Sequence, residues 1–326
     1  MKTKVLLLGF LAVSGILLLH SCLQPKHKPV IGLLMDDFVV ERWATDTACF
    51  IKEVNAEGGK VICLAAHGNA ETQAEQAKSL IARKIDVLVI LPVNVDKAAD
   101  IVAYAKQKST PVISYDRLIQ NSFVDYYVSF DNVKVGELQA NYIQNRMGNG
   151  SIALINGPTT DKNSVFLHYG QMGVLQPYIE NNSIHIVFDR YVNEWTLEEG
   201  YRLAKECLLN RKVDAIIAGN DLLARGVIKA LEEKGLAGKV LVAGQDGDSY
   251  ACENIIKGIQ TMSVYKPVED LAVKAAVMAM DLASNKSIDY ASFTVDNGYK
   301  MVPSLLIAPT VVNKGNIGMK VKVEKK

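Results

Sequence analysis

Short apolar runs and longer helical patterns alternate along most of the chain, and this alternation limits the possible fold more than any other feature. The first run, Val30 to Leu34, is followed by a helical pattern from Glu41 to Glu57. The run from Val87 to Leu91 is apolar throughout, as expected of a strand that helices cover on both faces. This regular β-α-β-α order predicts a parallel sheet with helices on both sides.

The same order begins again in the second half of the chain. Tyr126 to Phe130 reads as a strand, Val133 to Met147 as a helix, and further pairs continue to a last helix from Val268 to Ala283. No Pro-rich or low-complexity linker separates the halves. The sequence therefore predicts an α/β fold of two doubly wound, Rossmann-like lobes joined by several chain crossings, with a ligand in the cleft between them.

The segments that follow seven of the predicted strands each carry planar polar groups, a charge or a Trp. They contain Asp36-Asp37 with Glu41-Arg42-Trp43, Asp116-Arg117, Gly157-Pro158-Thr159-Thr160 leading to Asn163, Asn193-Glu194-Trp195, Asn220-Asp221, Gln245-Asp246 and Lys266-Pro267. In open parallel sheets, ligands bind beyond the carboxyl ends of the strands. Carboxylates, amides and cations are suitable partners for sugar hydroxyls, which both donate and accept. Aromatic rings can pack on the C–H faces of a pyranose, and both Trp of the chain lie in these segments.

Purely structural explanations exist for single members of this set. Asp or Asn after a strand often caps the next helix, and Asp221 fits a cap better than a ligand. Arg42 and Arg117 could each form a solvated ion pair, and a lone Trp more often belongs to the packing. The convergence of seven loops from both halves at one sheet edge favours a binding site.

Composition and missing motifs argue against several other functions. The chain has 36 basic and 35 acidic residues and a net charge of +1, whereas a general nucleic-acid binder shows a basic face or a high pI. Nucleotide-binding glycine motifs and a nucleophile elbow are absent. We expect no cofactor and no metal, because the five His, at positions 20, 27, 67, 168 and 185, have no metal-ligand spacing.

Glycosidase chemistry is the enzymatic alternative, since several carboxylates face the predicted cleft. It requires one carboxylic acid with a raised pKa. Asp116, however, has Arg117 as its neighbour, and Arg42 and Lys266 are further candidate partners. Nearby cations keep a carboxylate ionised, which suits binding of hydroxyls better than proton donation.

The first 22 residues are similar to the signal peptide of a bacterial lipoprotein. Lys2 and Lys4 precede an apolar or small stretch of 15 residues, Val5 to Leu19, which is shorter than the roughly 20 residues of a membrane-spanning helix. It ends before Cys22, which in such lipoproteins becomes the lipid-carrying first residue; an ordinary signal peptide with an incidental Cys is the alternative. Residues 23–28 would form a tether, and they lack the acidic run that would favour surface export. We therefore expect a periplasmic location with a lipid anchor in the membrane.

Four further Cys lie in the mature chain, at positions 49, 63, 207 and 252. An exported protein can form disulfides. These four, however, are far apart, lie within apolar stretches and show no C-x-x-C spacing. We expect them to be buried free thiols.

Several of the loop segments belong to longer motifs. These are Asp36-Asp37, Glu41-Arg42-Trp43, Tyr115-Asp116-Arg117, Ser129-Phe130-Asp131-Asn132, Val135-Gly136-Glu137-Leu138-Gln139, Gly170-Gln171-Met172, Gly244-Gln245-Asp246 and Val264-Tyr265-Lys266-Pro267. With them, the sequence from about Val30 to Ile317 resembles the periplasmic D-xylose-binding proteins. These are ribose/galactose-type sugar receptors of ABC importers with a type I periplasmic binding protein fold.

The resemblance implies a two-lobed fold with three chain crossings, near Asp131, Tyr265 and Asn297-Gly298. It implies an N-terminal lobe of residues 29–130 plus 266–297, a C-terminal lobe of residues 131–265 plus 298–318, and a tail of residues 319–326. Carried over residue by residue, it implies that the sugar is held by Arg42, Trp43, Asp116, Arg117, Asn163, Trp195, Asn220, Asp246 and Lys266. The two Trp would sandwich the sugar ring.

The function implied is capture of a pentose such as D-xylose by hinge closure, and its presentation to the membrane permease of an ABC importer. We expect a monomer without a nucleic-acid partner. A periplasmic sensor domain for a signalling protein is the alternative that the sequence does not separate from a transport receptor. A repressor of similar fold would need a helix-turn-helix at the place that the signal peptide occupies.

Overall fold

The computed structural model describes residues 28–37 and 41–318, except for the side chain of Glu41. The signal peptide, Cys22, nearly all of the tether and the tail of residues 319–326 lie outside the described residues. In the described part, no helix combines the length and the apolar character needed to cross a membrane.

The first lobe is built on a seven-stranded sheet. Its strands are β1 (Val30–Met35), β2 (Lys60–Ala65), β3 (Val87–Ile90), β4 (Val112–Tyr115), β5 (Tyr126–Phe130), β11 (Phe293–Asp296) and β12 (Met301–Ile307). Their order is β11-β12-β5-β4-β3-β1-β2. All neighbours pair in parallel except β11, which runs antiparallel to β12.

The second lobe is built on a six-stranded sheet. Its strands are β6 (Gly150–Asn156), β7 (Ile184–Tyr191), β8 (Ala215–Ala218), β9 (Leu241–Asp246), β10 (Met262–Tyr265) and β13 (Thr310–Asn313). Their order is β13-β10-β9-β8-β6-β7, and only β13 is antiparallel to its neighbour. The predicted pair of doubly wound α/β lobes is therefore confirmed.

Helices cover both faces of each sheet. The first lobe has α1 (Glu41–Ala56), α2 (Ala70–Ala82), α3 (Ala98–Gln107) and α9 (Val268–Ala283), and the second has α4 (Asn132–Met147), α5 (Lys162–Glu180), α6 (Leu197–Asn210), α7 (Asp221–Glu233) and α8 (Ser249–Lys257). Strand β3 shows why its sequence is apolar throughout. Val89 packs in the layer that contains Phe50 of α1, whereas Leu88 packs in the opposite layer with Leu80 of α2. Alternate side chains of one central strand thus supply two cores.

The chain crosses between the lobes three times. It crosses after β5, again after β10, and finally between β12 and β13. The first two crossings confirm the expectations near Asp131 and Tyr265.

The expected third crossing at Asn297-Gly298 is wrong. These residues form the turn between β11 and β12, where Gly298 has a φ of +83°. Ser304 to Ile307 pair with β5 in the first sheet, so assigning all of residues 298–318 to the C-terminal lobe is also wrong. The last crossing lies at Ala308-Pro309. Strand β11 is largely exposed, and Pro303 and Ser304 interrupt the apolar residues of β12, so the sequence pattern did not distinguish this hairpin from a linker.

All four Cys in the described residues are free, as expected. Cys207 and Cys252 are buried, whereas Cys49 and Cys63 are only partly buried. The expectation of full burial is therefore wrong for the latter two.

Candidate functional site

A cavity of about 90 Å³ lies between the lobes, at the carboxyl ends of both sheets. Its lining residues are Arg42, Trp43, Asp116, Arg117, Asp161, Asn163, Trp195, Asn220, Gln245, Asp246 and Lys266. The structure thus brings together all nine side chains that the resemblance assigned to a sugar. It adds Asp161 and Gln245, which lie in the expected loops but were not selected from the sequence.

Arg42 is the central cation of the first lobe. Its Nη2 lies 2.7 Å from Asp116 Oδ2, its Nη1 4.0 Å from Asp246 Oδ1, and its Nε 3.7 Å from Asp46 Oδ2. Burial would lower the pKa of the guanidinium, but the three carboxylates outweigh this effect and raise the pKa above its ordinary value. The guanidinium also lies over the ring of Trp43, 4.1 Å from its centroid. Arg42 is therefore a permanently charged group whose partners come from both lobes.

Arg42 stands in the first turn of α1, where helix electrostatics disfavour a cation. Helix propensity does not explain a positive charge at this place. The favourable partners come from elsewhere in the fold, because Asp116 follows β4 and Asp246 ends β9. The tertiary structure, and not the helix, stabilises the charge of Arg42.

Asp116 is held through both its backbone carbonyl and its carboxylate. Its carbonyl oxygen accepts hydrogen bonds from Tyr127 Oη at 2.9 Å, Ser129 Oγ at 2.7 Å and Asn163 Nδ2 at 3.2 Å. Burial would raise the pKa of its carboxyl, but nearby cations, chiefly Arg42, outweigh burial and hold this pKa below its usual value. Asp116 therefore presents an ionised carboxylate, which can accept hydrogen bonds from two directions.

Arg117 contacts other partners than its neighbour Asp116. Its Nη1 donates to Asp36 Oδ2 at 2.6 Å and to the carbonyl of Pro92 at 3.1 Å, and its Nε lies 3.4 Å from Asp161 Oδ2. The guanidinium side chains of Arg42 and Arg117 are only 13% and 15% exposed. Neither forms the solvated surface ion pair that the sequence left as an alternative.

Asp161 connects the two lobes through this arginine. Its Oδ1 accepts the backbone N–H of Asn163 at 2.9 Å and so caps α5, while its Oδ2 accepts Trp195 Nε1 at 3.2 Å. Arg117, Asp161 and Trp195 therefore form a continuous polar chain across the cleft. The only sequence signal for Asp161 was its position two residues before Asn163, where a helix cap explained it equally well.

Trp195 lies against two glycines of the second lobe. A Cβ atom added at Gly157 would overlap the indole ring and Ser164 Oγ, and one added at Gly219 would come within 3.0 Å of the ring. Both glycines follow strands, β6 and β8, at the carboxyl edge of the sheet. They leave space that the indole fills, and this fixes the position of the ring beside the cavity.

Asn220 and Asp221 have different roles from each other. Asn220 Oδ1 accepts the N–H of Leu223 at 2.8 Å, so this residue caps α7 as well as lining the cavity. The expectation that Asp221 is a helix cap is wrong. Its buried carboxylate accepts Gln260 Nε2 at 2.9 Å, Ser263 Oγ at 2.7 Å and the N–H of Gly247 at 2.7 Å. It thereby holds the loop after β9 against β10, directly behind Asp246.

Lys266 stands at the second crossing, and its side chain is only 5% exposed. Its Nζ lies 2.9 Å from Asp246 Oδ1. The lining set as a whole contains three cations, Arg42, Arg117 and Lys266, and three carboxylates, Asp116, Asp161 and Asp246. Asp36 and Asp46 stand behind Arg117 and Arg42, so every cation of the site already has a carboxylate partner. An anionic ligand would therefore bring an uncompensated charge into a poorly solvated site, whereas a neutral polar ligand would not.

Comparison with known proteins is consistent with this geometry. A family model described as a periplasmic binding protein domain matches residues 31–287. The D-xylose-binding periplasmic protein of Escherichia coli (strain K12) is 40% identical over 319 residues, covering 97% of this chain and 96% of that protein. The protein of the same description from Haemophilus influenzae is 40% identical over 311 residues, covering 95% and 93%.

Solved structures of solute-binding proteins also match this chain. A carbohydrate transporter solute-binding protein from Chloroflexus aurantiacus, in complex with D-glucose, matches with a TM-score of 0.84 and 28% identity, covering 92% of this chain and 96% of that chain. An ABC transporter solute-binding protein from Clostridium phytofermentans, with bound β-D-glucose, matches with a TM-score of 0.81 and 28% identity, covering 90% and 96%. Fold and site together define a two-lobed solute-binding protein. The chain belongs to the periplasmic binding protein family.

Proposed function

We propose that this protein captures a monosaccharide, D-xylose or a related pentose, between its lobes and presents it to the membrane permease of an ABC importer. One observation carries this proposal: hydrogen-bonding groups and two Trp from both lobes and one crossing surround a single cavity. The 40% identity to two proteins described as D-xylose-binding supports the choice of sugar.

Each side chain has a definite part in this proposal. Sugar hydroxyls donate to the carboxylates of Asp116 and Asp246 and accept from Arg42, Arg117 and Lys266, while the amides of Asn163 and Asn220 can do both. Hydrogen bonds that involve an ionised group are the stronger ones. A sugar that contacts both lobes at once stabilises the closed form over the open form, which is the condition for ligand-driven hinge closure. The closed form is then the signal that the permease recognises.

Binding without catalysis fits the electrostatics of the cavity. A glycosidase needs a carboxylic acid whose raised pKa keeps it protonated. At Asp116 burial acts in that direction, but the surrounding cations prevail and the pKa lies below its usual value. We therefore propose a receptor and not a hydrolase.

We further propose that Cys22 carries lipid and anchors a monomeric protein on the periplasmic side of the membrane. The support is the signal-like segment and the Cys that follows it.

With β12 reassigned to the first sheet, we propose an N-terminal lobe of residues 29–130 plus 266–307 and a C-terminal lobe of residues 131–265 plus 308–318.

The first test is a thermal-shift and calorimetric screen of residues 23–326 against D-xylose, L-arabinose, D-ribose, D-glucose and maltose. A ligand at about 100 times its Kd stabilises the folded state by roughly 2.7 kcal/mol, which raises the Tm by several degrees. We expect the largest shift with a pentose, and a smaller radius of gyration by X-ray scattering when it is bound. If no pentose raises the Tm while a hexose or a disaccharide does, the pentose assignment is wrong.

Variants test the site itself. Asp116→Ala, Asp246→Ala and Trp195→Ala should each abolish the shift, whereas Asp96→Ala, an exposed carboxylate outside the cavity, should retain it. Unchanged affinity in all three site variants would contradict the proposed site. Release of sugar from a xyloside would instead identify an enzyme.

A further inference from the structure

The face of the first lobe opposite the cleft carries a group of lysines and aromatic rings. Strands β1, β3, β4, β5 and β12 are mutually parallel, so the segments that precede them meet at one edge, away from Asp116 and the cavity. We call this surface the basal face and define it by Lys84, Lys106, Lys108, Phe123, Tyr299 and Lys300. The three first-named lysines are exposed, and the rings of Phe123 and Tyr299 belong to side chains that are 45% and 53% exposed.

These residues form one continuous surface. A concavity of about 200 Å³ is lined by Lys106 and Phe123, and a second of about 620 Å³ by Lys84 and Lys108. The two concavities share Ser109 and Thr110 as walls, so they adjoin.

The aromatic part of the basal face joins the same surface. The rings of Phe123 and Tyr299 lie 4.2 Å apart, and Lys106 Nζ lies 3.4 Å from the centroid of Phe123. Lys300 Nζ donates to the carbonyl of Val124 at 3.2 Å. Lysines and aromatic rings therefore interleave on one face.

The carboxylates that line the basal face do not cancel its charge. Asp86 Oδ2 accepts the backbone N–H of Val30 at 2.7 Å, and Asp125 Oδ2 accepts that of Val112 at 2.8 Å. A third carboxylate, the exposed Asp296, accepts the backbone N–H of Gly298 at 2.9 Å in the turn that carries Tyr299 and Lys300. Three carboxylates thus face the four lysines of the definition, and the surface keeps a net positive charge. Exposed lysine stems and aromatic rings are suited to a surface with an anionic rim and an apolar interior.

The N-terminus of the fold begins on the same face. Val30 opens β1 and is hydrogen-bonded to Asp86, which lines the same concavity as Lys84 and Lys108. Cys22 lies six residues before Lys28. Six residues span at most about 20 Å when fully extended. A lipid on Cys22 would therefore keep the entry point of β1, and with it the basal face, close to the membrane.

We propose that the basal face docks on the anionic phospholipid headgroups of the membrane that holds the lipid of Cys22. This inference rests on the lipid anchor in the proposed function. Lysines near an anionic leaflet are attracted to it within about a Debye length, and the short tether lets them come within that range. Docking in this orientation turns the cleft away from the bilayer, so the docked form is the one that collects sugar, and it must leave the headgroups before it presents the closed lobes to the permease.

The test uses the full lipidated protein reconstituted on two kinds of vesicle: phosphatidylcholine alone, and equal parts of phosphatidylcholine and phosphatidylglycerol. Hydrogen exchange is followed in residues 104–112, 121–126 and 297–300. We expect exchange to be slowed about tenfold on the anionic vesicles relative to the neutral ones, and the effect to disappear at high salt. The variant K84E/K106E/K108E should lose this protection.

The matched control is K229E/K234E/K239E, which makes the same charge change at exposed lysines of the second lobe. It should keep the protection, and both variants should retain sugar binding because none of the six lysines lines the cavity. Equal exchange on both vesicles, while the protein still floats with them, would overturn the basal-face proposal and leave the lipid anchor intact. Failure to float with either vesicle would instead refute the anchor.

Discussion

Gly157 is a small residue on which the position of Trp195 depends, and its replacement by Ala tests the cavity without removing any polar group. The added Cβ would overlap the indole ring and Ser164 Oγ, and both neighbours are packed against the carboxyl end of β6. The backbone of Gly157 does not have a positive φ, so Ala is tolerated by the backbone itself. The substitution therefore acts through the contact with Trp195.

The size of the effect follows from that overlap. An extra carbon in a packed site costs about 1–3 kcal/mol, because side chains must leave their preferred positions. The ring of Trp195 borders the cavity and can relieve the overlap by moving toward it, where the sugar would lie. If the ligand-bound form bears this cost, each 1.4 kcal/mol weakens binding tenfold. We expect the Kd for D-xylose to rise by about 10- to 100-fold.

Calorimetric titration of D-xylose gives the Kd, and urea unfolding of the free protein gives the accompanying change in stability. Gly173→Ala is the matched control, since Gly173 is an exposed position in α5 with no atom within 4 Å of an added Cβ. This control should bind normally and be slightly more stable, because Ala favours a helix by about 1 kcal/mol over Gly. An unchanged Kd in Gly157→Ala would refute the argument that this glycine positions the ring.

Three further outcomes follow from the same structure. Burial raises the pKa of Asp46 to about 6, so the stability that protonated Asp46 contributes is complete below about pH 4 and is lost as the pH rises through 6. This loss amounts to about 3 kcal/mol. Asp46→Asn should remove this pH dependence in urea unfolding measured from about pH 4 to 7. Asp221→Ala removes the carboxylate that accepts hydrogen bonds from Gln260, Ser263 and two backbone N–H groups. It should lower the free energy of unfolding by about 3 kcal/mol or more, whereas a loss below about 1 kcal/mol would show that other acceptors replace this carboxylate. Because each cation of the cavity already has a carboxylate partner, D-xylonate should bind at least about 100-fold more weakly than D-xylose in calorimetric competition, and comparable affinity would contradict the inferred preference for a neutral ligand over an anionic one.

Much of the fold could be predicted from the sequence because central parallel strands and amphipathic helices have strong periodic patterns. The expected bounds of Tyr126–Phe130 and Val268–Ala283 agree with the structure residue for residue. The three strands between Phe293 and Asn313 were not predicted. The strand β11 is largely exposed, β12 contains Pro303, and all three take part in antiparallel edge pairs. Edge strands such as β11 and β13 do not need the apolar run that identifies a buried one, and in β12, which lies between β11 and β5, Pro303 and Ser304 interrupt that run.

The loops of the cavity could be predicted for a different reason. Parallel strands end at one edge of a sheet, so strand order in the sequence already indicates which segments meet. The pairing of individual side chains could not be predicted in the same way. Arg117, Arg42 and Lys266 were all candidate partners of Asp116, and the sequence did not choose among them. In the structure Asp116 contacts Arg42, 74 residues away, whereas Arg117 contacts Asp36. Those pairings depend on sheet register and on the orientation of each loop, which one-dimensional patterns do not record.

Asp116 and Asp246 share a backbone conformation that the sequence pattern did not predict. They follow or end β4 and β9, which occupy equivalent places in the two sheets, each next to the strand that leads into a crossing. Both have a positive φ, 60° and 102° respectively, a conformation that costs a non-glycine residue of order 1–3 kcal/mol and persists only where the surroundings impose it. Asp is among the residues that tolerate the left-handed region, but two such residues at matching positions, both facing Arg42, are not expected from turn statistics alone. The backbone strain therefore lies at Asp116 and Asp246, the two carboxylates from different lobes that face the same cation, Arg42. A receptor that closes by a hinge needs the side chains at this place to be held in position before the ligand binds.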